Sequence, residues 1–411
     1  MMNMEIVFFY PSKNIGGVQV LFSRLASSLS EYFDKVSVYD YHDGIYKRII
    51  KSDKVNIVGF QDEQCVTFER QVLLITPASN SFDIYSRFKL NRHDKVLFWV
   101  VHPFNFVVNY PLFNIYSKFS TKNINRILRV LYYKEIVKTK KFIESLTRKR
   151  NLVFMDVECY NINAKLFDLK NCNPILLPIP SDDSLTLDFK QDHNTHGDYC
   201  WLGRVEDFKT NILIKVIDDF LSSKIDKEKC FIVIGAGKDL NDIRIRYKSY
   251  SRVKFIDNLV GQELYTYLRE NISLMFAMGT SALESAKLGI PTILLDASYA
   301  SVPDNYCYRW LYQSTGFTLG RILDNSYQGH VDDLLFSDII RLIDTEYRDI
   351  SKKCYMYYQG NHSMQSCIQK IIELADEIEV NENLSEELSS HHLNNNYIFK
   401  AVLLIKRFVR C

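Results

Sequence analysis

The sequence predicts an α/β protein with two parallel sheets, each covered by helices. Short apolar runs alternate with segments whose apolar residues recur at helical spacing, and this pattern begins at Glu5 and starts over at Tyr199. The 411 residues suffice for two large domains, or three small ones, at about 100–200 residues each. We place the two domains at 1–185 and 197–376, followed by a polar linker and amphipathic tail at 377–411.

The first half begins with a strand, a glycine loop, a helix and a second strand. The apolar run Glu5–Tyr10 ends before Pro11, Gly16 and Gly17 follow in a short loop, and Val36–Tyr39 forms the next strand. One face of the intervening helix carries Val18, Leu21, Phe22, Leu25, Leu29 and Phe33. This βαβ unit places its loop at the carboxyl edge of the sheet, where such sheets bind ligands. Further strands are predicted at Val55–Val58, Val72–Ile75, Val96–Val101 and Leu152–Met155.

The second half repeats this order of elements without repeating the sequence. Cys200–Leu202 is a short strand, Gly203 opens the following loop, and the strand Phe231–Ile234 ends at Gly235 and Gly237. The helix between these strands has one apolar face, formed by Leu213, Val216, Ile217 and Phe220. Strands are also predicted at Val253–Ile256, Leu274–Ala277 and Thr292–Leu295.

Composition and charge exclude several classes of protein. Apolar residues make up 47% and charged residues 24% of the chain, which excludes a disordered or fibrous protein. The formal net charge of +2 gives no global field, so we expect no nucleic-acid partner. The nine cysteines form no C-x-x-C pair, which excludes zinc spacing and a dense disulfide framework and favours a reducing compartment.

A pair of cations in the second half points to an anion. Arg204 and Lys209 lie between a strand and a helix, and the N-terminus of a helix is already positive. Two cations are unfavourable there unless an anion, also bound by free backbone N–H groups, lies between them, and a diphosphate would fit. The alternative is that both cations pair with Glu206 or Asp207 on the surface.

A second cluster follows the strand Leu274–Ala277. Gly279 permits a tight turn, and Thr280 or Ser281 begins a helix whose first N–H groups, with two hydroxyls, suit an anion. Glu284 lies one turn into this helix, too deep for a capping group, and its carboxylate is suited to paired sugar hydroxyls. The alternative is a carboxylate hydrogen-bonded within the core.

These residues resemble the motifs of two-domain GT-B glycosyltransferases, nearest to the large retaining group called glycosyltransferase family 4. The resemblance covers about residues 4–375 and follows the order of the family's motifs. The matching elements are Gly16-Gly17 with Leu25–Leu29, His102 after a strand, Ile175–Pro180, the G-R-x-x-x-x-K residues Gly203, Arg204 and Lys209, Phe231–Gly237, Val253–Phe255 with Glu263 and Leu264, and Glu284 with Gly289 and Pro291. The resemblance implies two Rossmann-like domains that face each other across a cleft.

The resemblance also implies an activity: retaining transfer of a sugar from a nucleotide-diphosphate donor to a lipid-linked or growing polysaccharide acceptor. Arg204 and Lys209 would neutralise charge on the leaving diphosphate, Glu284 would hold the ribose, and His102 would close over the sugar. Donor-binding residues would be Gly16, Gly17, Gly203, Gly235, Gly279, Thr280 and Ser281. Arg and Lys replace a metal in such a site, so no metal and no cofactor is expected. A bacterial surface-polysaccharide pathway, for lipopolysaccharide or capsule, is the implied setting.

One position departs from the family pattern. The family has two glutamates separated by seven residues; Glu284 matches the second, and the first falls on Phe276. Because phenylalanine accepts no hydrogen bond from a sugar, another residue holds the sugar, the donor is atypical, or catalysis is lost. Two alternatives stay open. One is a non-catalytic glycosyltransferase-like subunit, and the other is a sugar-nucleotide epimerase or hydrolase, which needs a carboxylate pair that the sequence does not show.

Two basic, aromatic segments suggest a membrane surface. Residues 112–150 and 397–411 combine Lys and Arg with apolar side chains, as segments that contact anionic lipid do. The alternative is a solvated helix face and a frayed terminus. The sequence shows no secretion signal, and its longest apolar stretches fall far short of the roughly 20 residues that span a bilayer. We therefore expect a cytoplasmic protein at the inner face of the cell membrane.

Overall fold

The computed structural model describes residues 4–61, 64–111, 113, 121–170, 172–181, 195–223, 228–257, 259–323, 327, 329 and 333–378. The chain divides into two compact units. The first comprises the chain up to Pro180 together with the chain from Cys367 onward, and the second comprises Ser181–Ser366. The predicted tail segment at 397–411 lies outside the described residues.

The first unit is built on a seven-stranded sheet in which all pairs are parallel. Its strands are β1 (Glu5–Phe9), β2 (Val36–Tyr41), β3 (Val55–Phe60), β5 (Val72–Pro77), β7 (Lys95–Val100), β8 (Leu152–Phe154) and β9 (Ile175–Leu176), and β4 (Val66–Thr67) pairs separately with β6 (Phe88–Lys89). The order is β3-β2-β1-β5-β7-β8-β9. The strands are mostly apolar because parallel sheets are covered on both faces.

The helices of the first unit cover this sheet. Up to Pro180 they are α1 (Gly17–Leu29), α2 (Tyr46–Ile49), α3 (Ile84–Arg87), α4 (Thr121–Leu131), α5 (Tyr133–Arg148) and α6 (Val157–Phe167). The predicted helix face on α1 is confirmed for Leu21, Phe22, Leu25 and Leu29, which are all buried. The strand predictions for this half are likewise confirmed within a few residues at their ends.

The second unit has a six-stranded sheet of order β12-β11-β10-β13-β14-β15. Its strands are β10 (Asp198–Leu202), β11 (Phe231–Ile234), β12 (Val253–Ile256), β13 (Ile272–Ala277), β14 (Thr292–Leu294) and β15 (Arg309–Trp310), of which only β15 pairs antiparallel. Its helices are α7 (Thr210–Ser222), α8 (Leu240–Arg246), α9 (Gly261–Asn271), α10 (Thr280–Lys287) and α11 (Phe336–His362). The predicted α/β class is therefore confirmed in both units.

The last described helix, α12 (Met364–Glu377), belongs mostly to the first unit. Lys95 Nζ donates to Ala375 O at 2.6 Å, and Arg150 pairs with Glu377 at 2.5 Å. The cations thus interact with the negative, C-terminal end of the helix. We predicted that the second domain extends to residue 376, whereas the chain returns to the first unit from Cys367 onward.

Most of the described part of the segment 112–150 forms the helix pair α4 and α5. Several of its apolar side chains, Leu128, Tyr132, Ile136, Phe142, Ile143 and Leu146, are buried in the core of the first unit and face no membrane. Val130, Leu131, Tyr133 and Val137 are exposed near the junction of the two helices. None of the described helices combines the length and the apolarity needed to cross a bilayer.

Candidate functional site

The order of strands in the second unit defines where a ligand can bind. From β10 the chain proceeds outward through β11 and β12, whereas β13 lies on the other side of β10 and leads to β14. At such a reversal the loops after the two central strands lead to helices on opposite faces and leave a crevice at the carboxyl edge. The loop Gly203–Lys209 follows β10 and the turn Gly279–Ser281 follows β13. The topology therefore brings the two predicted clusters to one crevice.

Glycines allow the loops after β10 and β11 to run in contact. Gly203 N donates to Ile234 O at 3.1 Å, and Val205 N donates to Ala236 O at 2.9 Å. A Cβ on Gly235, which has φ 153°, would lie 1.9 Å from Gly203 O. Gly235 was predicted to bind the donor, but the structure places it against the Gly203 backbone. Its role in this arrangement is to shape the loop that carries Gly203.

Lys209 ends the loop of the first cluster, directly before α7, and lies close to the second cluster. A Cβ on Gly203 would lie 3.6 Å from Lys209 Nζ and 3.9 Å from Ser281 Oγ. The missing side chain thus leaves a space bordered by an ammonium group and a hydroxyl group. The side chain of Lys209 makes no hydrogen bond or ion pair with any residue that the structure describes, although the residue is half-buried. Burial, and secondly Arg204, lower the pKa of Lys209, so its charge is unfavourable without an anion.

Arg204 differs from Lys209 because it has a partner. Its guanidinium donates to Glu206 Oε1 at 2.6 Å, and its side chain is 70% exposed. This is the surface pair that the sequence left open as the alternative. An exposed pair contributes little to stability, about 0–1 kcal/mol, so a diphosphate can replace Glu206 at small cost.

The turn after β13 supplies fewer N–H groups than the sequence suggested. Gly279 has φ 63° and stands directly before α10, as predicted. Its N–H, however, donates to Leu319 O at 2.7 Å and is therefore not available to a ligand. Thr280 and Ser281 begin the helix, where backbone N–H groups have no partner within the helix. These two residues keep the predicted capacity to bind an anion.

Glu284 is held by three side chains. Ser181 Oγ donates to its Oε1 at 2.7 Å, whereas Tyr265 OH and Lys287 Nζ contact its Oε2 at 2.7 and 2.9 Å. The Glu284 side chain is 17% exposed and that of Lys287 1%. The carboxylate is therefore hydrogen-bonded, as the alternative stated, yet part of the Glu284 side chain still reaches solvent. The spacing of Lys287 from Glu284 on one helix could have indicated their contact, but no local signal indicates Tyr265 or Ser181.

Phe276 is part of the core and not of the site. It lies within β13 with 0% exposure, and its ring packs near those of Tyr199, Phe231, Tyr308 and Phe336. The sequence comparison treated this position as one that faces the sugar. That assignment is wrong, because the side chain is fully buried among aromatic rings in the core of the second unit.

In the first unit, the glycine loop and His102 follow central strands. Gly16 precedes α1 in extended conformation, and a Cβ on Gly17 would meet nothing within 4 Å. His102 follows β7; its Nδ1 accepts a hydrogen bond from Phe104 N at 3.2 Å, which leaves Nε2–H as a donor. His102 is exposed, and partial desolvation by the residues around it lowers its pKa, which favours the neutral ring. The predicted contacts of these residues with the donor sugar stay predictions.

Within the described ranges, no three His, Cys, Asp or Glu side chains lie together as a metal site requires. The expected independence of a metal stays a prediction.

The comparisons with known proteins identify the fold. No protein-family model and no curated protein matches the sequence. Among solved structures, Anabaena HepE in complex with UDP superposes with a TM-score of 0.54 at 13% identity, covering 91% of this chain and 100% of the other. A glycosyltransferase from Rickettsia africae gives 0.56 at 11%, covering 92% and 98%. The lipopolysaccharide outer core galactosyltransferase WaaB gives 0.51 at 10%, covering 91% and 99%.

These similar structures are GT-B glycosyltransferases, and the chain has their fold. The sequence prediction of this fold is confirmed, whereas the nearer likeness to family 4 stays a resemblance.

Proposed function

We propose that the protein is a glycosyltransferase that uses a nucleotide-diphosphate sugar as donor. The observation that carries the proposal is the half-buried Lys209, whose side chain forms no hydrogen bond or ion pair with a described residue. It borders the space above Gly203 at the edge where doubly wound sheets bind ligands. A diphosphate supplies the missing negative charge. HepE, which shares the fold, was solved with UDP and with UDP-glucose, and this supports the choice of ligand.

The residues of the second unit suggest how the reaction is promoted. As the bond to the sugar breaks, negative charge develops on the leaving diphosphate. Lys209 and the first N–H groups of α10 are fixed donors for that charge, which is the largest catalytic contribution in many enzymes. Arg204 joins them when it leaves Glu206, and Glu284 accepts a hydrogen bond from the ribose. These groups act without a metal or a cofactor.

The first unit contributes contacts to the donor sugar in the proposed reaction. His102, as a neutral imidazole, donates its Nε2–H to a hydroxyl of the donor sugar, and Gly16 and Gly17 allow the close approach of that sugar. Transfer retains the anomeric configuration. The acceptor is a lipid-linked or growing polysaccharide of a bacterial surface, a setting supported by the name of WaaB, a lipopolysaccharide galactosyltransferase.

Thermal unfolding with a panel of nucleotides tests this function. A ligand that binds only the folded state stabilises it, by about 2.7 kcal/mol at a concentration one hundred times its dissociation constant. We expect one of the UDP-, GDP-, ADP- or dTDP-sugars to raise the midpoint, and the corresponding nucleoside diphosphate to do the same; a CMP-sugar, which has a single phosphate, should not. Slow release of the sugar from that donor without an acceptor is the second expected result. If no nucleotide raises the midpoint, the proposal is wrong.

Two other results would replace the proposal by one of its alternatives. Conversion of one free nucleotide sugar into another would identify an epimerase. Nucleotide binding without release or transfer of the sugar under any acceptor tested would identify a non-catalytic subunit.

We also propose that the protein binds an anionic membrane surface, at the inner face of the cell membrane, through the junction of α4 and α5. Val130 is 74% and Tyr133 67% exposed. Exposed lysines on the following turns of α5, Lys134, Lys138 and Lys141, lie in the same segment. Apolar side chains that enter the headgroup region, with cations around them, are typical of interfacial helices. Each such cation contributes about 1 kcal/mol near an anionic leaflet.

Vesicle sedimentation tests this surface. With vesicles of phosphatidylethanolamine and phosphatidylglycerol, we expect Tyr133→Ser with Lys134→Glu to weaken binding about tenfold, because it removes a ring and reverses a charge. The matched control is Tyr250→Ser with Lys248→Glu, an exposed pair in the second unit. Equal binding by the test and control variants, or no binding by the wild type, contradicts the proposal.

A further inference from the structure

We propose that Lys287, with Tyr265 and Ser181, positions the Glu284 carboxylate and cancels its charge, so that Glu284 can accept a hydrogen bond from a ligand that is itself an anion. The proposal rests on the proposed function, because it takes the ligand to be a nucleoside diphosphate. Lys287 is a positioning residue in this view. It acts on the ligand only through Glu284.

The first observation is that a buried lysine faces a partly buried carboxylate. The Lys287 side chain is 1% exposed, and its Nζ lies 2.9 Å from Glu284 Oε2. Its ammonium also lies 4.5 Å from the centre of the Tyr265 ring and donates to Tyr265 OH at 3.2 Å. A cation is buried in this way only when its partners are fixed, since an unpaired buried charge is strongly unfavourable. The buried ammonium and the Glu284 carboxylate therefore form an ion pair with fixed partners.

The two carboxylate oxygens of Glu284 differ in how many hydrogen bonds they already accept. Each carboxylate oxygen accepts about two hydrogen bonds. Among the described residues, Oε2 already accepts from Tyr265 OH and Lys287 Nζ, whereas Oε1 accepts only from Ser181 Oγ. With 17% of the Glu284 side chain exposed, the remaining acceptor position on Oε1 is where a ligand hydroxyl can bind. The geometry thus predicts one strong hydrogen bond to the ribose and not two.

The third observation is that Ser181 is itself fixed. It is 1% exposed, and its backbone N–H donates to His362 O at 2.8 Å, at the end of α11. Its hydroxyl therefore holds Oε1 in one orientation. Glu284 is thus contacted from three separate parts of the second unit, namely α9, α10 and the segment at Ser181. A partly buried carboxylate does not need contacts from three separate segments merely to offset its loss of hydration.

The electrostatic reason for Lys287 follows from the ligand. A bare carboxylate repels a diphosphate at short range, most strongly where water is excluded. Lys287 cancels this repulsion, yet Oε1 remains an acceptor. A neutral amide would also avoid the repulsion, but it accepts a weaker hydrogen bond than a carboxylate does.

The experiment measures dissociation constants calorimetrically for UDP and for its 2′-deoxy and 3′-deoxy analogues, or for the corresponding set of whichever diphosphate the panel identifies. In the wild type we expect one deoxy analogue to bind about tenfold more weakly than the ribonucleotide, since it lacks the hydroxyl bound to Oε1. Lys287→Met should weaken binding of all three about tenfold or more, because the charge of Glu284 is no longer cancelled.

Two further variants separate positioning from a merely structural role. Glu284→Gln with Lys287→Met removes both charges. We therefore expect the weaker-binding deoxy analogue to regain the affinity that it has for the wild type. The ratio of its dissociation constant to that of the ribonucleotide, which measures the ribose preference, should stay small. Tyr265→Phe is the mild variant that should fold in every case. It keeps both charges, and we expect it to reduce the preference about threefold without changing the affinity of the deoxy analogue.

The outcomes distinguish this inference from the proposed function. If the wild type binds no diphosphate, the proposed function fails. If it binds one, and Lys287→Met lowers only the unfolding midpoint while all dissociation constants stay unchanged, Lys287 is merely structural and the inference is overturned. An unchanged ribose preference in Tyr265→Phe also overturns it, whether or not Lys287→Met folds.

Discussion

At a nucleotide concentration close to the wild-type dissociation constant, replacement of Lys209 by methionine is expected to abolish nearly all of the thermal shift that a nucleoside diphosphate gives the wild-type protein. A hydrogen bond to a charged group contributes about 1.5–3 kcal/mol, and Lys209 is the half-buried cation at the space above Gly203. Dissociation constants should therefore rise between ten- and a hundredfold or more. Differential scanning fluorimetry over a nucleotide titration, with calorimetry for the constants, measures this.

The same variant should be at least as stable as the wild type when no ligand is present. Burial lowers the pKa of Lys209, which means that folding disfavours its charged form. Methionine keeps most of the side-chain volume and removes that charge. A higher midpoint without nucleotide, together with a lost response to nucleotide, is a combination that general misfolding cannot produce.

Lys238→Met is the matched control. Lys238 lies in the loop after β11, which contacts the loop that carries Lys209. Its ammonium pairs with Asp207, and its side chain is 61% exposed. Its loss should leave the nucleotide response unchanged, since exposed pairs contribute little. Equal responses of the Lys209 and Lys238 variants would show that Lys209 binds no phosphate, and the candidate site would then have to be abandoned.

The fold was predictable because its signals are local. A strand covered on both faces must be apolar at nearly every position, and the runs Glu5–Phe9 and Phe231–Ile234 show this without any knowledge of their neighbours. Gly203 and Gly279 likewise mark the ends of strands at which the chain turns. Parallel sheets then place these turns at one edge, so the approximate position of the site followed from the order of elements.

The contacts within the site were not predictable, because they join distant parts of the chain. Nothing near Gly279 in the sequence indicates that Leu319 O takes its N–H. Tyr265 reaches Glu284 from another helix, and Ser181 from the segment before β10. Sequence also cannot separate Arg204 from Lys209, since both are cations in one loop, and only the structure shows which of them has a partner.

Phe276 shows how motif spacing can mislead. Counting residues back from Glu284 assigns it to the site, whereas the run Ile272–Ala277 assigns it to a strand. The strand assignment is the stronger physical argument, because every side chain of that run is buried and the last residues still pair with β14. A fixed spacing between two motif residues holds only if the loop between strand and helix keeps its length. Here Met278 and Gly279 alone separate β13 from α10, so counting back from Glu284 reaches into the strand.

Gly235→Ala is expected to produce the largest loss of stability among single substitutions near the site. Gly235 has φ 153°, a conformation that disfavours any side chain, and a Cβ there would lie 1.9 Å from Gly203 O. Strained backbone alone costs about 1–3 kcal/mol, and relief of the overlap requires movement of the Gly203 loop. We expect a loss of at least about 3 kcal/mol, which lowers the midpoint by roughly 6–12 °C in a domain of 150–250 residues.

Nucleotide affinity should fall together with stability in this variant, because the loop that moves is the one that leads to Lys209. The control is Gly360→Ala in α11, where a Cβ meets nothing within 4 Å. Alanine is favoured over glycine within a helix by about 0.5–1 kcal/mol, so this substitution should raise the midpoint and leave affinity unchanged. If Gly235→Ala instead unfolds at the wild-type temperature and binds nucleotide normally, the loops after β10 and β11 do not touch in solution, and the close contact that shapes the Gly203 loop is absent.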